Sequence, residues 1–258
     1  MKAAIIQLNI AFGNPDQNLE HAEHLISEAL KDHPDVIILP ELWTTGYDLE
    51  HLNRTADSEG KAIRRAAGRL AGKHHVNLIA GSTAVKTDKG IFNRMAVFNR
   101  EGTCIKTYDK IHLFRLMREE RFLKAGRRDG LFQIDGVLSA GFICYDIRFP
   151  EWIRKHVLAG AKMLFIPAEW PKPRLDHWRT LLTCRAIENQ VYVVACNRAG
   201  SDPDNHFAGH SLVIGPWGDI LAEADENEGI LSVDLPLSAV EEVRSRIPVF
   251  EDRRPEIY

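Results

Sequence analysis

The stretch GFICYDIRFPEW, residues 141–152, has the pattern of a buried strand that breaks into polar residues. An apolar run ends at Cys144, and polar residues dominate from Tyr145 to Arg148. Pro150 suits the first turn of a helix, so the stretch predicts a strand, a tight turn and a helix. Because α/β folds present reactive groups where strands end, Cys144 is a candidate nucleophile, and the start of the following helix would lower the pKa of its thiol. The alternative is a small buried filler.

Apolar runs of strand length recur along the whole chain, and stretches with helical spacing separate many of them. The predicted strands cover residues 3–8, 36–39, 77–80, 95–98, 103–107, 131–134, 137–144, 163–166, 191–195, 211–214 and 230–233. The predicted helices cover residues 19–30, 62–74, 150–159 and 175–189. This alternation predicts an α/β fold with largely buried strands.

Two pairs of segments are similar to each other in the same order along the chain. VIILPELW (36–43) is similar to MLFIPAEW (163–170), since both have four apolar residues, a proline, a glutamate and a tryptophan. MAVFNREG (95–102) is similar to SLVIGPWG (211–218). This order indicates two related halves, each with its own sheet, with chance similarity as the alternative. No low-complexity linker separates the halves, so we expect a single domain over residues 1–258.

The composition argues against nucleic-acid and membrane partners. The chain has 258 residues with 33 basic and 36 acidic side chains, and no Lys/Arg-rich block stands out. The N-terminal apolar run is typical of a first strand, because it lacks the long apolar segment and the cleavage site of a secretory signal. No stretch approaches the ~18 apolar residues of a membrane span. The four cysteines have no CxxC spacing, so we expect a reducing, cytoplasmic location.

Two further side chains follow predicted strands and have chemistry that complements a thiol. Glu41 comes directly after the apolar run that ends at Pro40, and Lys110 follows the predicted strand at 103–107. Taken singly, each is typical of a solvated side chain. Together with Cys144 they supply a general base, an ammonium group and a nucleophile. The glycine-rich nucleotide-binding loops and the G-x-S-x-G turn of serine hydrolases are absent from the sequence.

Three segments of the chain resemble the signature blocks of the nitrilase superfamily, the carbon–nitrogen hydrolases. These segments are PELW (40–43), YDKIHLF (108–114) and GFICYDIRFPE (141–151), and the resemblance extends over nearly the whole chain, from residue 4 to residue 234. It implies a four-layer α-β-β-α sandwich, a homodimer that stacks through helices near the nucleophile block, and no metal or organic cofactor.

The resemblance also implies which groups are catalytic. The family uses a glutamate, a lysine and a cysteine in this chain order, and they correspond to Glu41, Lys110 and Cys144. A second active-site glutamate usually follows the lysine block, and in REERFLKAG it corresponds to Glu119, with the adjacent Glu120 as the alternative. In this interpretation the cysteine forms a thioester with the substrate, Glu41 transfers protons and Lys110 stabilises the oxyanion. Glu119 orients Lys110 or the substrate amide.

Residues near the predicted strand ends are candidates for substrate contacts. The backbone N–H of Tyr145 follows the nucleophile and can donate to the oxyanion. Trp170 can form a wall of the pocket, and Arg174 can bind a substrate carboxylate or lie solvated in a loop. For Arg148 and Glu151 we expect an ion pair that holds the turn after the nucleophile, in preference to a substrate contact.

Within the family, the chain most resembles the bacterial omega-amidases. The segments KIHLFRLMREERFLKAG and PAEWPKPRLDHWRTLLTCRAIENQ carry this resemblance. It implies hydrolysis of a small-molecule amide, 2-oxoglutaramate, to 2-oxoglutarate and ammonia, as in the group associated with methionine salvage. Another hydrolase of the family (carbamoylase, aliphatic amidase or nitrilase) and a non-catalytic amide-binding protein are the alternatives. The polar C-terminal stretch at 246–258 is expected to extend onto the partner subunit.

Overall fold

Two mixed β-sheets form the centre of the computed structural model, which describes residues 1–257. The strands of the first sheet are β1 (Lys2–Gln7), β2 (Val36–Ile38), β3 (Asp57–Ser58), β4 (Asn77–Thr87), β5 (Gly90–Phe98), β6 (Cys104–Asp109) and β13 (Gly229–Asp234). Those of the second sheet are β7 (Leu131–Ile134), β8 (Val137–Gly141), β9 (Met163–Ala168), β10 (Tyr192–Asn197), β11 (Leu212–Ile214) and β12 (Ile220–Glu223). The strand orders are β13-β1-β2-β4-β5-β6, with β3 beside β4, and β12-β11-β10-β9-β8-β7.

The two sheets have the same internal arrangement. In the first, β1, β2 and β4 are parallel, and β13 and β5 run antiparallel on either side. In the second, β8, β9 and β10 are parallel, and β7 and β11 run antiparallel on either side. The similar segments at 36–43 and 163–170 therefore contain corresponding strands, β2 and β9, and those at 95–102 and 211–218 contain parts of β5 and β11. The prediction that each half has its own sheet is confirmed, with β13 added to the first sheet from the end of the chain.

Helices cover both sheets on their outer sides. The α-helices of the described residues are α1 (Pro15–Ala29), α2 (Leu52–Thr55), α3 (Lys61–His74), α4 (Glu119–Phe122), α5 (Pro150–Leu158), α6 (Leu175–Asn189) and α7 (Ser238–Arg246). Neighbouring strand residues point to different cores: Ile6 packs with α1 and α3, whereas Ile5 packs in the core that contains the second sheet, α5 and α6. These layers confirm the α/β sandwich of α-β-β-α type. No helix within residues 1–257 has the length and apolar character needed to cross a membrane.

Strand β4 continues beyond residue 80, where the sequence predicts its end. Gly81 has a φ of +56°, and a Cβ at this position would lie 2.1 Å from the carbonyl oxygen of Pro40. The pairing of β4 with β5 shifts register here, so the glycine marks a bulge within a longer strand. The backbone N–H of Ser82 donates to the same Pro40 carbonyl at 3.0 Å. This close contact fixes where the chain leaves β2, one residue before Glu41.

The C-terminal segment packs against its own subunit as far as Phe250. The Phe250 ring contacts the guanidinium groups of Arg154 and Arg244, at centroid distances of 5.2 and 5.0 Å. Residues 251–257 are largely exposed. Tyr258, the last residue of the stretch expected to reach a partner subunit, lies outside the described residues. The first part of that stretch therefore completes the core of the subunit itself.

Candidate active site

Three buried charged side chains meet beyond the ends of two strands of the first sheet. Glu41 follows β2, Lys110 follows β6 and Glu119 begins α4, and all three side chains are fully buried. Lys110 Nζ donates to Glu41 Oε1 at 2.8 Å and to Glu119 Oε1 at 2.6 Å. Charges removed from water need partners, so the ammonium group and the two carboxylates hold one another in place.

Glu41 accepts hydrogen bonds at both carboxylate oxygens. Oε1 accepts from Asn93 Nδ2 at 2.7 Å in addition to Lys110, and it lies 3.3 Å from the Tyr47 hydroxyl. Oε2 accepts from the backbone N–H of Glu169 at 3.0 Å. Because Glu169 follows β9, this bond joins Glu41 to the second half of the molecule. A carboxylate with a fixed orientation next to a thiol is suited to act as a general base.

The two adjacent glutamates that follow the lysine block differ in burial, which shows which of them lies in the site. Glu119 is buried, with Tyr47 OH donating to its Oε1 at 2.6 Å and the Phe114 N–H donating to its Oε2 at 2.8 Å. Glu120 is exposed. Burial raises the pKa of Glu119, and the Lys110 ammonium opposes this shift. Glu119 therefore lies in the site, and Glu120 lies outside it.

The two carboxylates determine the protonation of Lys110. Burial acts to lower the pKa of its ammonium group, but the negative charges of Glu119 and Glu41 outweigh burial and hold the pKa well above its ordinary value. Lys110 therefore stays positively charged. A fixed ammonium group of this kind can stabilise negative charge on a substrate oxygen.

Cys144 lies at a sharp turn after β8, where a short 3-10 helix (144–148) begins. Its φ of +45° is unusual for a residue with a side chain and marks the local strain of this turn. The carboxylate of Asp146 accepts the Ile143 N–H at 3.0 Å and closes the turn. It also accepts the Tyr108 hydroxyl at 2.7 Å. Asp146 therefore ties the turn at Cys144 to β6, the strand that leads to the lysine.

The Cys144 thiol is neutral in the resting site. Burial raises its pKa well above the ordinary value, and the charge of Glu41 and a hydrogen bond to that carboxylate act in the same direction, whereas Lys110 opposes them. The prediction of a thiol pKa lowered by the following helix is therefore wrong, because desolvation and an adjacent carboxylate outweigh the effect of one short 3-10 turn. A neutral thiol beside a carboxylate is suited to attack with simultaneous proton transfer.

A narrow cavity of about 10 Å³ adjoins Cys144. Tyr145, Trp170 and Arg174, the three residues expected to contact substrate, all line it. The ring of Tyr145 packs against that of Phe114, with 4.7 Å between their centroids, and forms an aromatic wall. The structure thus brings the three candidate substrate contacts together with the candidate nucleophile.

Two guanidinium groups line the same cavity. That of Arg174 lies 5.5 Å from the centroid of the Phe114 ring, and that of Arg148 lies 5.0 Å from the centroid of the Trp170 ring. The expected ion pair between Arg148 and Glu151 does not form among the described residues. Arg148 lies on the aromatic ring, and Glu151 is exposed in the first turn of α5. The prediction that Arg148 holds the turn through this ion pair is therefore wrong.

The sequence patterns do not single out Tyr47 or the ion pair between Glu169 and Arg198. Arg198 Nη1 donates to Glu169 Oε2 at 2.6 Å, and both side chains are fully buried. Burial raises the pKa of Glu169 to about 8, and the Arg198 guanidinium opposes this shift. The similarity between 36–43 and 163–170 is the signal that points to Glu169, since each segment carries a glutamate shortly after the proline of a buried strand.

Potential metal ligands do not form a cluster among the described residues. Over residues 1–257, no three His, Cys, Asp or Glu side chains are grouped so that they could hold a metal ion. The carboxylates beside Cys144 accept hydrogen bonds from Lys110, from other side chains and from backbone N–H groups.

The chain is similar to known proteins over nearly its whole length. A model of carbon–nitrogen hydrolases matches residues 2–245. The chain is 53% identical to a 2-oxoglutaramate amidase of Bacillus subtilis, over 98% of this chain and 97% of that protein. It is 36% identical to an omega-amidase of Escherichia coli K12, over 98% of this chain and 96% of that protein.

The fold is also similar to that of solved structures. One is a carbon–nitrogen hydrolase superfamily protein of Xanthomonas campestris, which carries an arsenic adduct in its active site. It superposes with a TM-score of 0.92 at 30% identity, over 98% of this chain and 97% of that one.

Proposed function

This chain belongs to the carbon–nitrogen hydrolase family, and we propose that it is an amidase that hydrolyses 2-oxoglutaramate to 2-oxoglutarate and ammonia. The support comes from relatives named 2-oxoglutaramate amidase and omega-amidase, which this chain matches over nearly its whole length. The observation that carries the proposal is the buried cluster of Glu41, Lys110 and Glu119 beside the Cys144 thiol.

Acylation of Cys144 is the first step. Glu41 accepts the thiol proton while Sγ attacks the amide carbon, and the electron pair of the C=O bond moves onto oxygen. The Lys110 ammonium and the backbone N–H of Tyr145 stabilise this oxyanion. The C–N bond then breaks, Glu41 gives its proton to the nitrogen, and ammonia leaves a thioester on Cys144.

Hydrolysis of the thioester completes the cycle. A water molecule attacks the thioester carbon and gives a proton to Glu41, and the same two donors stabilise the second oxyanion. The C–S bond breaks, the sulfur takes the proton back from Glu41, and the acid is released. Glu119 keeps Lys110 in position throughout through the 2.6 Å hydrogen bond between them.

We expect the two guanidinium groups beside the cavity to favour an acidic substrate. Arg174 and Arg148 bind the carboxylate at the end of the substrate remote from the amide. Guanidinium and carboxylate groups can form two parallel hydrogen bonds, which fixes orientation as well as charge. The aromatic rings of Trp170 and Phe114 support the two guanidinium groups in this role.

A substrate panel tests the proposed function. We expect kcat/KM for 2-oxoglutaramate to exceed that for a simple nitrile or a carbamoyl amino acid by at least about a hundredfold. A simple nitrile has no carboxylate for the guanidinium groups, and the ureido carbonyl of a carbamoyl amino acid is less electrophilic than an amide carbonyl. Equal or faster turnover of either would assign the chain to another activity of the family.

Two cysteine variants test whether the site is catalytic at all. Cys144→Ala should abolish turnover, whereas the same change at the exposed Cys184 should leave it unchanged. Substantial activity in Cys144→Ala would contradict the mechanism. Binding of 2-oxoglutaramate without turnover by the wild type would identify a binding protein instead.

A homodimer in the cytoplasm is also part of the proposal. Helices α5 and α6 expose the apolar side chains of Leu158 and Ile187 to 44% and 51%, which favours association through these helices. A reducing compartment keeps the Cys144 thiol available as a nucleophile. Sedimentation that shows only monomer at working concentrations would contradict the dimer.

A further inference from the structure

One oxygen of the buried Glu169 carboxylate has no hydrogen-bond partner. Arg198 Nη1 donates to Oε2, but Oε1 is buried and accepts no hydrogen bond from the described residues. Glu169 also lines the cavity beside Cys144. A buried acceptor without a donor costs on the order of 1–3 kcal/mol, so this oxygen is suited to a donor that enters the cavity.

The other two carboxylates of the site have donors on both oxygens. Glu41 accepts from Lys110 on one oxygen and from a backbone N–H on the other. Glu119 is bonded in the same way, to Lys110 and to the Phe114 N–H. Oε1 of Glu169 is therefore the one oxygen among these three carboxylates that lacks a donor.

The position of Glu169 indicates which part of a substrate it meets. Its backbone N–H donates to Glu41 Oε2 at 3.0 Å, so it lies next to the group that must give a proton to the leaving nitrogen. A 2-oxo acid monoamide has acceptors at its carboxylate, ketone and amide carbonyl. Its only hydrogen-bond donors are the two N–H bonds of the amide.

We propose that Oε1 of Glu169 accepts a hydrogen bond from the N–H of the scissile amide, and that Glu169 thereby selects unsubstituted amides. This inference rests on the proposed function. Arg198 holds the carboxylate through its other oxygen, and Arg198 Nη2 is anchored to the backbone carbonyls of Ile10 and Ser201 at 2.9 and 3.2 Å. The guanidinium also opposes the rise in the pKa of Glu169 that burial causes, so the ionised, accepting form is available in mildly alkaline solution. An ester of the same acid has no N–H and makes no such contact.

The test compares two acyl donors in wild type and Glu169→Gln. One is the monoamide of a dicarboxylic acid, and the other is the p-nitrophenyl monoester of the same acid. Glutamine keeps the shape of the side chain, but its oxygen stays with Arg198 and its NH₂ group replaces the acceptor. At about pH 9, where Glu169 is ionised, we expect kcat/KM for the amide to fall about 10- to 100-fold, the range for a hydrogen bond to a charged group. Acylation by the ester, measured as the burst of p-nitrophenolate, should change by less than about threefold.

The outcomes separate a substrate contact from a structural role. Equal losses on amide and ester would overturn the proposal, and so would an unchanged amide rate. Glu151→Gln makes the same exchange at an exposed position and should leave both rates unchanged. If Glu169→Gln is too unstable to assay, the double variant Glu169→Gln/Arg198→Met, which leaves neither member of the ion pair charged, must show the same selective loss.

The same assays keep the proposed function separate from this inference. A wild type that hydrolyses no monoamide would refute the proposed function before any variant is measured. A wild type that hydrolyses the amide, with a Glu169→Gln variant that loses amide and ester activity together, would refute only the role assigned to Glu169.

Discussion

The two halves of the molecule each place a buried ion pair at the end of a corresponding strand, but the two pairs differ in completeness. In the first half, Glu41 follows β2 and shares the Lys110 ammonium with Glu119. In the second half, Glu169 follows β9 and pairs with Arg198 alone. Every carboxylate oxygen of the first cluster has a donor, whereas one oxygen of the second has none.

This difference indicates that the two buried ion pairs have different roles in the reaction. The first cluster is complete without substrate, so its ammonium group and its base are already oriented when an amide arrives. The second pair is incomplete, and a substrate N–H completes it. A buried ion pair need not add stability, because loss of water offsets much of the attraction between the charges. Both pairs are therefore better explained by a role in the reaction than by a contribution to the stability of the fold.

Removal of the lysine should have the largest effect. Lys110→Met deletes an oxyanion donor and leaves Glu41 and Glu119 as adjacent buried carboxylates. We expect kcat/KM to fall at least about a thousandfold. We also expect the free energy of unfolding to decrease by about 3–5 kcal/mol, measured by urea unfolding. Arg198→Met should lower kcat/KM and stability less, because it leaves one buried carboxylate without its cation, whereas Lys110→Met leaves two. Equal losses of activity and stability in Lys110→Met and Arg198→Met would show that the two ion pairs do not differ in this way.

Removal of the Glu119 charge, the second carboxylate bonded to Lys110, should have the next largest effect on activity. Glu119→Gln keeps the side-chain shape but removes one of the two charges that fix Lys110. We expect kcat/KM to fall about 10- to 100-fold, in line with the loss of a hydrogen bond between charged groups. The neighbouring exposed Glu120→Gln provides the matched control, with activity expected within about twofold of wild type. A loss of activity in Glu120→Gln as large as that in Glu119→Gln would contradict the assignment of Glu119 to the site.

The pH dependence of the ratio of amide to ester reactivity should reflect the ionisation of Glu169 in the second pair. With its pKa raised to about 8, Glu169 is protonated below that pH and ionised above it. Arg198, Glu41 and Asp202 set its electrostatic surroundings. The ionised form accepts the amide N–H, so the ratio of amide to ester reactivity should rise roughly tenfold between about pH 6.5 and about pH 9. The ratio should be flat in Glu169→Gln. A flat or falling ratio in the wild type would contradict this role.

The smallest effect is expected at Tyr47, which belongs only to the first cluster. Its hydroxyl donates to Glu119 at 2.6 Å and lies 3.3 Å from Glu41. Because Lys110 still bonds both carboxylates, Tyr47→Phe should lower kcat about 3- to 10-fold with the fold intact. Steady-state kinetics and thermal unfolding measure the two effects. A loss as large as that in Lys110→Met would show that the ammonium group alone does not hold the cluster.

Part of the geometry of the first cluster could be predicted from the sequence, because Glu41 directly follows an apolar run and Lys110 follows a predicted strand. The strand before Lys110 is an edge strand that pairs only with the antiparallel β5, but it runs in the same direction as β2, so Glu41 and Lys110 leave the sheet at the same edge. The same reasoning places Cys144 after β8. The repeat of apolar run, proline and glutamate also predicted two sheets with related topology.

Other features depend on contacts that no local pattern encodes. Gly81 suggests a strand end but forms a bulge, because the Pro40 carbonyl approaches it from a neighbouring strand. The thiol pKa of Cys144 is raised because burial and Glu41 outweigh the short 3-10 turn. The ion pair of Glu169 with Arg198 joins two strand ends that lie far apart in sequence. Sequence patterns indicate where a side chain leaves a strand, and tertiary packing decides which group it meets.

Mass spectrometry of enzyme quenched in acid during turnover of 2-oxoglutaramate tests most directly whether Cys144 forms a thioester. We expect an acyl adduct, equal to the 2-oxo acid less water, on the peptide that contains Cys144, and no adduct on peptides with the other cysteines. An adduct on a different residue would show that Cys144 is not the nucleophile. Turnover with no adduct at any quench time, together with activity in Cys144→Ala, would show the same.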